Sequence, residues 1–271
     1  MSKVITKEID LNGRKLKLET GKLAQQADAS VVVTWGDTVV LATVATQPLK
    51  EDIGYFPLSV EYVEKHYAGG RISSSKFIKR EARPTDDSVL TGRLIDRSIR
   101  PLFPKEFKMH EVQVILSVLS FDQSNDPDIL GLIGASAALS ISSVPWNGPI
   151  AMVRVGEKDG SLVVNPTMDQ YASLNMELLV ASGSEKVVMI ETGAKQIDDK
   201  VVFDGIKEAH KSAQEIIALI EEFTKDYTQY FFLDILKLNI LPADVYPKAT
   251  EHVGKMVKYI EKLLEKDFAY L

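Results

Sequence analysis

Six of the eight arginines in this 271-residue chain fall between positions 71 and 100: Arg71, Arg80, Arg83, Arg93, Arg97 and Arg100. Arginine carries a planar fork of donors that matches the oxygens of a phosphate, and elsewhere the chain draws its positive charge mainly from lysine. The whole chain has a net charge of −6, yet residues 65–108 hold eleven Lys and Arg against five acids. The remainder is therefore strongly acidic, and one segment stands out as a phosphate-binding candidate. The competing reading is a solvated or ion-paired face. Concentration of one residue type in one segment of an acidic chain favours the phosphate reading.

The cluster divides in two. Phe77, Ile78, Lys79, Arg80 and Arg83 form a loop in which an aromatic and a branched aliphatic residue precede three cations. Such a loop suits sequence-tolerant gripping of a single strand, the ring stacking on a base and the cations holding phosphates. Alternatively Phe77 anchors the loop and the cations are solvated. A helix then opens at Thr85, a capping residue, with Asp86 and Asp87 at the positive end of its dipole, and Pro101 ends it. At helical spacing Arg93, Arg97 and Arg100 share an arc of roughly 60°. They repel one another unless an anion lies against them, and Asp96 is expected to point elsewhere.

Other chemistry finds little support. His66, His110, His210 and His252 show no metal-ligand spacing. There is no GxSxG elbow, P-loop or GxGxxG. Asp126 and Asp128 are possible metal or acid–base carboxylates, but Asp126 reads first as a helix cap, as does the Asp198-Asp199 pair. Trp35 and Trp146 sit in apolar runs and are expected in the core. The chain has no cysteine, which excludes disulfides, iron–sulfur clusters and cysteine zinc sites and fits a reducing compartment.

The elements that must position these residues read as follows. Residues 16–19, 30–35, 38–44 and 56–62 are strands, with 30–35 and 38–44 joined by the turn pair Gly36-Asp37. Residues 112–121 are a further strand. Asn125-Asp126-Pro127 then starts a helix rich in small residues, suited to close packing. Beyond residue 146 the pattern repeats. A hairpin turns at Lys158-Asp159-Gly160, strands follow at 176–181 and 187–191, and an amphipathic helix covers 201–223. The fold class is α+β, two β-then-α halves over 1–145 and 146–226. Residues 227–271 change character and read as the start of a helical segment that the chain truncates. An apolar content of 45% with 26% charged residues fits a soluble globular protein. The N-terminus resembles neither a signal nor a transit peptide, and no stretch reaches membrane-span length.

Three runs carry a specific resemblance: Tyr67-Ala68-Gly69-Gly70-Arg71-Ile72, Phe77-Ile78-Lys79-Arg80-Glu81-Ala82-Arg83-Pro84, and Leu94-Ile95-Asp96-Arg97-Ser98-Ile99-Arg100-Pro101-Leu102-Phe103-Pro104. With Leu18-Glu19-Thr20-Gly21, residues 134–140 and residues 145–150, the chain resembles the bacterial polynucleotide phosphorylase (polyribonucleotide nucleotidyltransferase) family over nearly its whole length. The match is to the first RNase PH-type core, of ribosomal protein S5 domain 2-like fold, plus the start of the all-helical linker. The resemblance implies phosphate-dependent 3′-to-5′ degradation of RNA to nucleoside diphosphates. It further implies Mg²⁺, inorganic phosphate as co-substrate, single-stranded RNA as partner, a homotrimeric ring, RNA-degradation complexes and a cytoplasmic location. Phe77, Ile78, Lys79, Arg80 and Arg83 match the loop that grips RNA, although the family usually has a second aromatic where Ile78 stands. Arg93, Arg97 and Arg100 match arginines on the path to the active site.

The catalytic set is not matched. Active cores carry Asp, Asp and Lys to hold metal, and the corresponding positions here are Tyr171, Glu177 and Leu179. Their phosphate-binding Thr/Ser-Arg pair corresponds to the region of Pro127-Asp128. The expectation is a core with no catalytic or metal residues of its own, the metal site lying outside this chain. A non-catalytic assembly module, whose arginines pair with a partner core, and a self-sufficient exonuclease remain as alternatives.

Overall fold

The computed structural model describes residues 4–70, 83–246, 249–266 and 268. The chain divides into two compact units, Met1–Tyr227 and Thr228–Leu271.

The first unit is built on two sheets. The larger has strand order β1-β2-β3-β4-β6-β5, formed by β1 (Ile5–Leu11), β2 (Arg14–Thr20), β3 (Ala29–Trp35), β4 (Thr38–Pro48), β5 (Leu58–Glu64) and β6 (His110–Ser120). Val31, Val33, Val40, Ala42 and Val44 are fully buried, as strand alternation demands of a face turned to the core. Gly36, at φ +59°, makes the β3–β4 turn expected from the sequence. β1 alternates charge and apolar residues and buries only Ile5 and Leu11, which left it without a clear strand signal. All pairings are antiparallel except β5 with β6. Parallel neighbours need a long crossover, and α1 (Asp86–Ile99) lies within it. Thr85 caps α1 as expected, its hydroxyl accepting from Ser88 N at 3.1 Å.

The smaller sheet runs β10-β9-β7-β8, from β7 (Ala151–Lys158), β8 (Ser161–Val164), β9 (Met176–Ser182) and β10 (Val187–Ala194). Asp159 and Gly160 both adopt positive φ in the β7–β8 turn.

Between the sheets lies α2 (Pro127–Ile141), started by Asp126 with proline at its first position. It touches β3 and β4 on one side and β7 on the other, so it is apolar nearly all round and Ile129 to Leu139 are buried without interruption. Gly134 is required here: a Cβ would lie 3.0 Å from Ala42 Cβ and 3.1 Å from Val33 Cγ2. On β9 and β7 sits α3 (Asp199–Lys237), where Gly205 admits Leu178, Met176 and Val155 and the helix buries Ala209, Ala213, Ile216, Ile217, Ile220 and Phe223.

Three expectations change. α3 runs to Lys237 rather than stopping at 223, because no proline or glycine interrupts residues 206–237 and the aromatic run is compatible with a helix. Trp35 is buried, but Trp146 is only half-buried, folded over Gly148. The expected strand at 56–62 starts at Leu58, after Pro57.

The second unit holds the end of α3 and α4 (Ala249–Leu264). Phe232 packs edge-on against Tyr246 with ring centres 4.8 Å apart. Among the described residues no helix is long and apolar enough to cross a membrane.

Candidate functional site

The arginines of α1 do not act alike. Arg100 Nε and Nη2 each donate to Asp96 at 2.7 Å, while Nη1 reaches Phe56 O at 3.1 Å and Nη2 reaches Leu58 O at 3.0 Å. Asp96, expected to point elsewhere, lies one helical turn back from Arg100, where a forked contact closes readily. Four of the five guanidinium donors are thus used internally. Arg97 pairs with Glu191 of β10, and both side chains are more than half exposed. Such a pair holds weakly in water and yields to a competing anion. Arg93 is exposed and makes no ion pair with a described residue. Arg83 is exposed just ahead of the helix. Phe77, Ile78, Lys79 and Arg80 lie outside the described residues.

A second constellation gathers at the start of α2, beside a cavity of about 450 Å³. Asp126 caps the helix, accepting from Asp128 N at 2.9 Å. It also accepts from Arg154 Nη2 and from the Tyr171 hydroxyl, the latter at 3.1 Å. Arg154, on β7, is 5% exposed. Its Nη1 pairs with Glu177 of β9, and its guanidinium lies 4.7 Å from the centre of the Tyr171 ring. Tyr171 is held there by the 3₁₀ segment Met168–Ser173 that Thr167 starts.

Asp128 turns inward beside this group and accepts from Thr91 Oγ1 of α1 at 3.1 Å. Burial, and then the negative charge of Asp126, push its carboxyl up to about 7. Burial likewise pushes the Tyr171 and Tyr62 hydroxyls well above their ordinary range, with carboxylate repulsion adding to it.

Tyr171 and Glu177, two of the positions that the resemblance sets against the metal ligands of active cores, both lie against Arg154, and Leu179 faces Arg154 directly across the β7–β9 pair. What joins them is Arg154, which nothing in the motif comparison singled out. The available signal was an arginine in the middle of an otherwise apolar strand, a placement that requires a buried partner. The residues do not fit a divalent metal. The guanidinium holds the position between Asp126 and Glu177 that a cation would take, and among the described residues no cluster of three or more carboxylate or imidazole groups offers a metal site. Nor do they fit a phosphate, which would meet Asp126 and Asp128 at the helix start.

Two sheets enclosing one apolar helix, with an arginine-bearing crossover helix on the larger sheet, define an RNase PH-type domain. Residues 12–145 match the family model RNase_PH, described as 3′ exoribonuclease family, domain 1. Residues 12–145 are thus an RNase PH domain, and the chain is similar over most of its length to polyribonucleotide nucleotidyltransferases. It is 45% identical to the Deinococcus deserti polyribonucleotide nucleotidyltransferase over 241 residues, covering 89% of this chain and 33% of that protein. The Thermus thermophilus enzyme is 48% identical over 219 residues, 81% of this chain and 30% of its own length. The chain thus spans about a third of the curated relatives it matches. A chain of the Archaeoglobus fulgidus exosome with RNA bound to the active site superposes with a TM-score of 0.59 at 16% identity, over 79% of this chain and 87% of that one, which shows a shared fold. Residues 177–271 also match a model described as tRNA synthetases class I (C) catalytic domain. That segment begins inside β9, whose sheet is completed by β7 and β8 upstream, so it is not a separate catalytic fold here.

Proposed function

We propose that this chain is a non-catalytic, RNA-guiding core of a phosphate-dependent 3′-to-5′ exoribonuclease that converts RNA and inorganic phosphate to nucleoside diphosphates. The observation that carries this reading is Arg154. A guanidinium neutralises the carboxylates at the place where an active core holds metal, so chemistry falls to a second core, with its Mg²⁺ and phosphate, outside this chain. The Archaeoglobus neighbour holds RNA, and the same fold here leaves Arg83, Arg93 and Arg97 exposed, the last two one helical turn apart on α1. Arg100 then serves the path indirectly, by fixing α1. The loop residues Phe77, Ile78, Lys79 and Arg80 are proposed to grip the strand, and a homotrimer to align three such paths. Arg100 needs no acidic partner core, since four of its donors are already used within the chain.

The purified 271-residue chain is expected to bind single-stranded RNA weakly, with affinity falling steeply as salt rises. It should release no nucleoside diphosphate in the presence of phosphate and Mg²⁺. Sustained phosphate-dependent diphosphate release would overturn the non-catalytic assignment.

A further inference from the structure

α1 and the smaller sheet meet at β10, the last strand on that edge. Glu191 of β10 stands opposite Leu179 of β9, and Leu179 stands opposite Arg154 of β7. Opposed residues on neighbouring strands share a face of the sheet, so Glu191, Leu179 and Arg154 form one row. With strands about 4.8 Å apart, the backbones of Glu191 and Arg154 are separated by roughly 10 Å. Met189, two residues before Glu191, points to the same face and is buried, with its Sδ 3.8 Å from Arg97 Nη2. The guanidinium of Arg97 thus rests on Met189 and pairs with Glu191.

Arg154 and Arg97 meet their carboxylates on different terms. Arg154 is 5% exposed, and its pair with Asp126 is sealed from water. Arg97 and Glu191 are both more than half exposed, so solvent and anions reach the pair. A carboxylate and a phosphodiester each offer two oxygens to the guanidinium fork. Glu191 therefore takes a donor of Arg97 that a strand phosphate would use. Arg93, one turn back on α1, makes no ion pair with a described residue and so has no such competitor among them.

We infer that Glu191 is an internal phosphate mimic that an incoming RNA phosphate must displace from Arg97, so that this step of the path is held by exchange and the strand can advance. The inference rests on the RNA-binding reading above and adds to it a residue that weakens the grip. An exposed ion pair opens on the timescale of side-chain rotamer changes, whereas a guide that held every phosphate firmly would stall the strand it delivers.

The test measures oligo(A) binding to the full chain by fluorescence anisotropy at low salt, with thermal melting confirming that each variant folds. Glu191→Gln is expected to tighten binding about two- to fivefold, the range that an exposed ion pair carries. The same substitution should still tighten binding in an Arg93→Ala background. In an Arg97→Ala background it should have no effect, because there it releases no guanidinium. No gain from Glu191→Gln, or an equal gain with and without Arg97, would overturn the inference while leaving RNA guidance standing; the second result would reduce Glu191 to one more negative charge in the general field. Failure of both the unaltered chain and Glu191→Gln to bind oligo(A) at low salt would overturn the RNA reading itself.

Discussion

Replacing Asp128 by asparagine should change how stability depends on pH. Asp128 is buried beside Asp126, and its carboxyl titrates at about 7 in the fold against 3.8 for the ordinary side chain. The folded pKa is raised, so the contribution of Asp128 is fully present below pH 3.8 and is lost as pH rises through 7. A displacement of about three pH units corresponds to roughly 4 kcal/mol, to order of magnitude. Asparagine keeps an acceptor for Thr91 Oγ1 but cannot ionise. Urea denaturation of both proteins should therefore show the variant gaining stability relative to wild type between pH 4 and pH 7, by up to about 4 kcal/mol. Above pH 8 the gap should be flat. The difference curve cancels other titrations such as that of Asp122, which hydrogen bonds from Ser124, Asn125 and Thr38 hold down at about 2 against its burial. A difference that stays constant from pH 4 to pH 8 would refute the idea that burial keeps Asp128 protonated.

Arg154→Met should cost about 3–5 kcal/mol by leaving Asp126 buried without its cation, and adding Asp126→Asn should recover much of that loss. A single-variant cost below about 1 kcal/mol in denaturant titration would show the pair to be dispensable. Arg100→Ala and Arg93→Ala should separate cleanly: the first lowers stability by about 2 kcal/mol through lost hydrogen bonds, while the second leaves melting unchanged but weakens RNA binding and lowers the salt slope by about 1. The reverse pattern would reassign the two residues. Gly134→Ala should destabilise by about 1–3 kcal/mol because α2 has no room to shift between the sheets; an unchanged melting temperature would mean that it does.

Much of the fold was legible because local signals and tertiary structure agree. Gly36-Asp37 specifies a hairpin on its own, and Asn125-Asp126-Pro127 specifies a helix start whatever lies around it. The end of α3 was not legible, since the aromatic run after Asp226 signals a change of environment, and a helix can pass through such a change unbroken. The site was less readable for a related reason. The arginine cluster shows in composition, and the i, i+4 spacing of Asp96 and Arg100 allows their pairing, but spacing cannot reveal that Glu191, on a distant strand, reaches Arg97. Arg154 was missed because a motif comparison looks for what a family requires. In the sequence alone, only the cost of burying its charge marks Arg154.

α2 has a consequence for how the protein folds. By sequence it belongs to the first half, within the stretch 12–145 that the family model recognises. Its apolar surface, however, is covered by β3 and β4 on one side and β7 on the other. A chain ending at residue 145 would leave part of that helix facing water. The two halves are therefore expected to unfold as one cooperative transition, with coincident denaturation curves by different probes. The evolutionary unit that the sequence displays is smaller than the thermodynamic unit that stands or falls together.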